Sequence, residues 1–227
     1  MTTASNTLQH VLERGWRRGF GNLFRSENNL RWGRNRWMLS ALIWLVILNG
    51  FVFLVAYGEA DSGRLTPAEI AAESTAIFMT FGTIAAAVGV ITGVQGAVIR
   101  EKQLGTAAWV LSKPVSRSAL VLAKMLSYSI AFLLLPLLLT SLAFYAQSQM
   151  LWGQTPALPG FLAGWLVMAL HMLFYVAFTI MLGTLFSSRG PVSAIGLGFL
   201  FGGQIFPNFL PAWATMIFPW KLSELAP

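Results

Sequence analysis

Residues 74–99 read STAIFMTFGTIAAAVGVITGVQGAVI, and residues 100–124 read REKQLGTAAWVLSKPVSRSALVLAK. The first string holds no charged residue. The second opens on Arg100, Glu101 and Lys102 and adds Lys113, Arg117 and Lys124. A helix needs about 20 apolar residues to cross about 30 Å of hydrocarbon. The first string meets that length. A charge at the middle of a span costs about 2.5–3.5 kcal/mol, so the second string belongs in a loop outside the hydrocarbon. This junction between an apolar run and a polar island sets the pattern of the whole chain.

Composition agrees. Of 227 residues, 56% are hydrophobic and only 10% charged. A soluble domain carries roughly 25% charged residues. A chain so poor in charge has lipid as its main solvent. The expected fold is an all-α membrane protein, a polytopic helical bundle forming a single transmembrane domain over residues 1–227. Five spans are predicted, at about 37–57, 75–99, 123–146, 161–187 and 191–206. An outer segment, 207–227, follows, with Trp213 and Trp220 among Pro207, Pro211, Pro219 and Pro227. Tryptophan favours the membrane interface.

Orientation follows from Lys and Arg. Arg14, Arg17, Arg18, Arg25, Arg31, Arg34 and Arg36 precede the first run. The first loop instead sets Arg64 against Glu59, Asp61, Glu69 and Glu73. The positive-inside rule then puts the N-terminus and the island in the cytoplasm. The chain is expected in the plasma or inner membrane as a multi-pass protein. The net charge of +7 is a topology signal, and no nucleic-acid partner is implied. A signal-peptide core is about 7–15 residues near the start of a chain. The first run is longer and begins only at Trp37, so it is expected to be an uncleaved anchor.

Ahead of it, Leu8, Val11, Leu12, Trp16, Phe20, Leu23 and Phe24 recur at helical spacing, with Gly15 and Gly19 in the same stripe. This predicts an amphipathic interfacial helix over 8–24, its arginines turned elsewhere. In the second run, Gly82, Ala86, Gly89 and Gly93 allow close helix approach, with packing inside one subunit favoured over a dimer seam. Pro136 predicts a kink in the third span. Gly196, Gly198, Gly202 and Gly203 make the fifth run a poor straight helix, short or broken. Gln95 and Gln204 are expected to hydrogen-bond across helices.

Chemistry of its own is nearly absent. No cysteine is present, which removes thiol and zinc-cluster readings. There is no P-loop and no His-Glu-x-x-His. No catalytic, cofactor-binding or metal-binding residue is therefore expected, and the chain is not expected to be an enzyme by itself. The acidic first loop reads as a solvated outer loop. His171 is the one ionisable residue in the middle of a span. Such residues face a cavity or the bundle. His171 is either part of a substrate route or a neutral histidine held by neighbouring helices.

The island has its own local logic. Gly105 turns the chain and Thr106 can cap a helix. Ala107 to Ser112 make about two turns, which Pro114 stops. That short helix presents Trp109, Val110 and Leu111 between Lys102 and Lys113. Ser116 and Ser118 can cap the next helix. Such an element suits a groove on a soluble partner, although an interfacial helix lying on lipid would look the same.

The loop also resembles that of the permease subunits of ABC-2 type ABC transporters. Theirs reads approximately Glu-Arg/Lys-x-x-Gly-Thr-Leu-x-x-Leu-Leu-Ser-x-Pro-Val-Ser-Arg, with a lysine entering the third span. The match is at Glu101, Lys102, Gly105, Thr106, Leu111, Ser112, Pro114, Val115, Ser116, Arg117 and Lys124. The resemblance implies that loop 100–118 is a coupling helix docking on a separate ATPase. It gives ATPase-coupling roles to Glu101, Lys102, Gly105, Thr106, Trp109, Leu111, Pro114 and Arg117. It implies two ATPase subunits carrying ATP and Mg, and a second permease subunit, identical or related, in an exporter. The family pattern departs at Ala107-Ala108-Trp109, where it has a leucine and an acid, and at Ala123, where it has glycine. The family usually has six spans, so either a sixth lies beyond residue 227, or another subunit supplies it, or the fifth run is not a simple span. Two other classes compete: a non-transporting scaffold or sensor using the same loop, and a self-contained channel or secondary transporter. The scarcity of intramembrane charge argues against the latter.

Overall fold

The computed structural model describes residues 15–33, 35–105, 112 and 115–205, with no strand among them. Four helices are long and apolar enough to cross a membrane: Arg36–Asp61, Pro67–Gln103, Arg117–Trp152 and Leu158–Leu185. They are called the first to fourth spans below. They overrun the predicted runs at most ends, because capping residues outside the hydrocarbon extend the helices. Thr66 caps the second span: its hydroxyl accepts from the Glu69 amide at 3.4 Å, and the Glu69 carboxylate accepts from the Thr66 amide at 2.8 Å. Ser116 caps the third, its Oγ accepting from the Ala119 amide at 3.0 Å.

The fifth expected span is not among these four, which were found among the described residues. A helix does form there, over Arg189–Ile205. It is continuous despite its glycines, and its described 17 residues reach about 25 Å, short of a full crossing. Gly196 does not break it. A methyl at Gly196 would lie 2.9 Å from the Ile91 side chain, so the glycine lets this last helix close on the second span. The segment 207–227 lies outside the described residues.

The interfacial helix is corrected too. Gly15–Arg17 form a single 3-10 turn, Gly19 takes a left-handed φ of 80°, and the helix runs instead over Phe20–Trp32. The break has a steric reason. A side chain at Gly19 would meet Val115 at 2.8 Å, and φ near +80° suits glycine. The predicted apolar stripe is therefore cut, and residues 8–14 lie outside the described residues. The helix ends at Gly33, whose amide donates to the Asn29 carbonyl at 3.0 Å. Asn35, in the left-handed region at φ 57°, then turns the chain into the first span.

The fourth span is the hub. Over its most apolar stretch 56% of residues are buried, against 22% for the first span. Met168, Met172, Tyr175, Val176 and Ile180 pack on Ala86, Ala87, Val90, Ile91 and Val94 of the second span. Leu137 and Leu200 close this core from the third span and the last helix. A smaller cluster joins Leu48 and Val52 to the stacked rings of Phe78, Phe144 and Phe161. The glycines of the second span work inside the chain. Gly89 lies against the Trp44 indole, Gly93 against Phe132, and Gly82 against Met168. In lipid, where apolar surface alone does not drive association, such close backbone approach holds helices together. The exposed Leu39, Leu42, Val46 and Leu54 leave the outer side of the first span apolar.

Pro136 produces something other than a simple kink. It sits inside a π-helical stretch, Leu133–Leu139, and the first span has one as well, Leu45–Gly50. The wider π turn accommodates the missing amide of proline without ending the helix. The two spans meet there, where the Asn49 side chain donates to the Thr140 carbonyl at 3.1 Å. The second span has its own interruption, a turn at 95–98 between Pro67–Val94 and Ile99–Gln103.

Candidate functional site

The described basic residues of the interfacial helix and the island share one end of the bundle with Arg189. There the short helix Ile99–Gln103 leads into the island loop. Ile99 is fully buried against Leu182 and Val192, which fixes the helix to the fourth span and the last helix. Two of the residues that follow, Glu101 and Lys102, reach different elements.

Glu101 accepts from Lys124 Nζ at 2.6 Å, and the same ammonium donates to Glu27 Oε1 at 2.6 Å. Lys124 is buried, on the first turns of the third span, while Glu27 sits on the interfacial helix. One ammonium thus joins three elements. A buried charge is tolerated only when its partners are in place, and two carboxylates supply them. A second tier lies beside it. Arg31 Nε donates to Ser127 Oγ at 3.2 Å, and its guanidinium stands 3.4 Å from the centre of the Tyr128 ring. Ser127 Oγ donates to Asn28 Oδ1 at 2.9 Å.

Lys102 turns the other way. Its Nζ donates to the carbonyls of Gly183, Thr184 and Phe186 at 2.9, 2.6 and 3.1 Å. These are among the last carbonyls of the fourth span, which lack partners within the helix and carry the negative end of its dipole. Gln103 adds a bond from Nε2 to the Ser187 carbonyl at 3.2 Å. The far end of the island is tethered as well. The Ser116 amide donates to the Arg18 carbonyl at 3.1 Å, and Val115 fills the space beside Gly19.

Of the residues singled out from sequence, the fold brings Glu101 and Lys102 into this clasp. Gly105 follows with a left-handed φ of 68° and open space around it, and Arg117 is exposed in the first turn of the third span. Thr106, Trp109, Leu111 and Pro114 lie outside the described residues. His171 stands apart from this set. It is buried in the fourth span, edge-on to Tyr175 at 4.9 Å. It also lines a cavity of about 830 Å³ between the second and fourth spans, with Thr75, Thr83, Gly160 and Gly164. Gln95 bonds across helices as expected, accepting from Ser193 of the last helix; the Gln204 side chain lies outside the described residues.

Sequence reasoning did not find Glu27, Asn28, Arg31, Ser127 or Tyr128. One signal was available. Lys124 lies inside a helix that continues into an apolar run, so it needs an acid. Before the first span the acids are Glu13 and Glu27, and nothing in the pattern chose between them.

No curated protein and no solved structure matches the chain. A family model described as "ABC-2 family transporter protein" matches residues 33–219.

Proposed function

The chain belongs to the ABC-2 family of transporter proteins, as a permease subunit of an ABC transporter, and from that premise we propose that loop 100–118 couples it to a separate ATPase and that the complex exports its cargo. The partner ATPase, in two copies, binds ATP and Mg. A second permease subunit completes the route. The complex sits in the plasma or inner membrane with the basic end in the cytoplasm. The gathering of positive charge at that end supports this orientation.

One observation carries the coupling role. Adjacent residues at the loop's start, Glu101 and Lys102, are bonded to the third span, through it to the interfacial helix, and to the end of the fourth span. A displacement of the loop is delivered to all three. The fourth span then acts as a rod. From Gly183 to His171 the helical rise is about 18 Å, so the rod ends at the cavity that His171 lines. That cavity is the part of the route assigned to this subunit. Its alanine, threonine and methionine walls suit a weakly polar or amphipathic cargo.

Co-purification tests the assignment. The chain is expressed with a candidate P-loop ATPase from the same genome and recovered by a tag on the permease. The ATPase is expected in the eluate, and Gly105→Pro is expected to remove it, because proline cannot take φ near +68°. An ATPase retained equally by Gly105→Pro and by deletion of residues 106–112 would defeat the docking role. Retention without ATP turnover in the reconstituted complex would favour a scaffold.

A further inference from the structure

A second cavity, of about 780 Å³, lies at the basic end between the interfacial helix and the first three spans. We propose that this cavity binds a phosphate-bearing anionic lipid from the leaflet beside it. The inference rests on the chain's being a membrane protein and is independent of the ATPase coupling.

Charge is the first argument. Six charged residues line the cavity: Glu27, Arg31, Arg36, Arg100, Glu101 and Lys124. Lys124 is held by Glu27 and Glu101, and Arg31 by Ser127 and Tyr128. Arg36 and Arg100 are exposed, and their side chains make no hydrogen bond or ion pair among the described residues. The cavity therefore presents two unneutralised guanidinium groups on a wall whose other charges are already matched. A guanidinium fork fits phosphate oxygens two at a time.

Shape is the second argument. Arg36 is the first residue of the first span, and Trp44 lies about 12 Å further along it by helical rise. Between these levels the lining turns apolar, with Trp37, Trp44, Phe132 and Leu135. A charged mouth over an apolar shaft matches a headgroup followed by an acyl chain. A free phosphate would use the mouth alone. Trp37 at 41% exposure stands where tryptophan prefers to sit, at the headgroup level. Basic pockets between helices near the membrane surface recruit anionic headgroups by this combination.

The test uses the full chain in phosphatidylcholine vesicles. These are doped at equal mole fraction with either brominated phosphatidylglycerol or brominated phosphatidylcholine, whose acyl bromines quench neighbouring tryptophans. Phosphatidylglycerol is expected to quench at a lower mole fraction. Arg36→Gln and Arg100→Gln are each expected to raise its half-quenching mole fraction about fivefold, from the typical strength of one basic residue at a membrane surface. Arg25→Gln removes the same charge from an exposed position on the interfacial helix outside the cavity and is expected to change nothing. Trp37→Phe, on an exposed side chain, is expected to remove part of the phosphatidylglycerol-specific quenching with both arginines intact. Equal quenching by the two lipids, an equal effect of Arg25→Gln, or no effect of Trp37→Phe overturns the proposal. Relief of the quenching by inorganic phosphate in the buffer overturns the lipid in favour of a soluble phosphate.

Discussion

Lys124→Met is expected to lower the stability of the folded subunit by about 3 kcal/mol. The substitution leaves Glu27 and Glu101 facing each other with no cation between them. Removing one partner of a buried pair costs about 3–5 kcal/mol. The lower end applies because both carboxylates keep some contact with water, at 16% and 22% side-chain exposure. The measurement is thermal unfolding of the purified subunit in detergent. The triple variant Lys124→Met, Glu27→Gln, Glu101→Gln is expected to regain most of the loss, since removing all the charges removes the unpaired ones. If Lys124→Met alone melts with the parent, the cluster is not what joins the three elements. If the triple variant is stable and still couples to ATP, the charges matter only to the fold.

Lys102→Met should do the opposite, leaving the fold intact and cutting the coupling. Two of its three acceptors, the Thr184 and Phe186 carbonyls, are exposed at the helix end, and water can reach them when the ammonium is gone. Stability is therefore expected to change little. The three bonds from the Lys102 ammonium to the end of the fourth span are lost, while the Gln103–Ser187 bond stays. Coupling free energies between sites run about 1–3 kcal/mol, or 5–150-fold, and a loss in that range is expected in transport per ATP hydrolysed. The reconstituted complex is expected to hydrolyse ATP at the rate of the isolated ATPase, with binding retained. Lys102→Arg keeps the charge and the donors and is expected to restore part of the effect. Full coupling in Lys102→Met would remove the Lys102 bonds from the transmission path.

Much of the fold could be read from the chain because lipid imposes a plain rule on it. A run without charge and long enough must cross, and Arg100 to Lys102 must not. The charged shoulders of the island therefore found their place. Glycine was where reading failed. Gly19 lay in an apolar stripe and passed for a small filler, yet its lack of a side chain serves a left-handed turn against Val115. Gly196 suggested a broken helix, yet it lets a continuous helix approach Ile91. One residue type serves turn, contact and break alike, and only the neighbour in space tells which. The clasp was half legible for a related reason. Glu101 and Lys102 stood out by charge, but Glu27 gains its meaning from Lys124, far along the sequence. The π-helical stretches left no trace that periodicity could detect.

Those stretches give the bundle a tolerance that its tight packing elsewhere denies it. A π turn amounts to an α-helix with one residue inserted. Loss of one residue within Leu45–Gly50 or Leu133–Leu139 would return the segment to ordinary helix and keep the two flanking halves in phase. The same loss in Phe51–Ser62 or Thr140–Trp152 would rotate everything beyond it by about 100°, turning Val52 or Phe144 out of the ring cluster. The first and third spans thus each contain one short stretch where length can vary without loss of register.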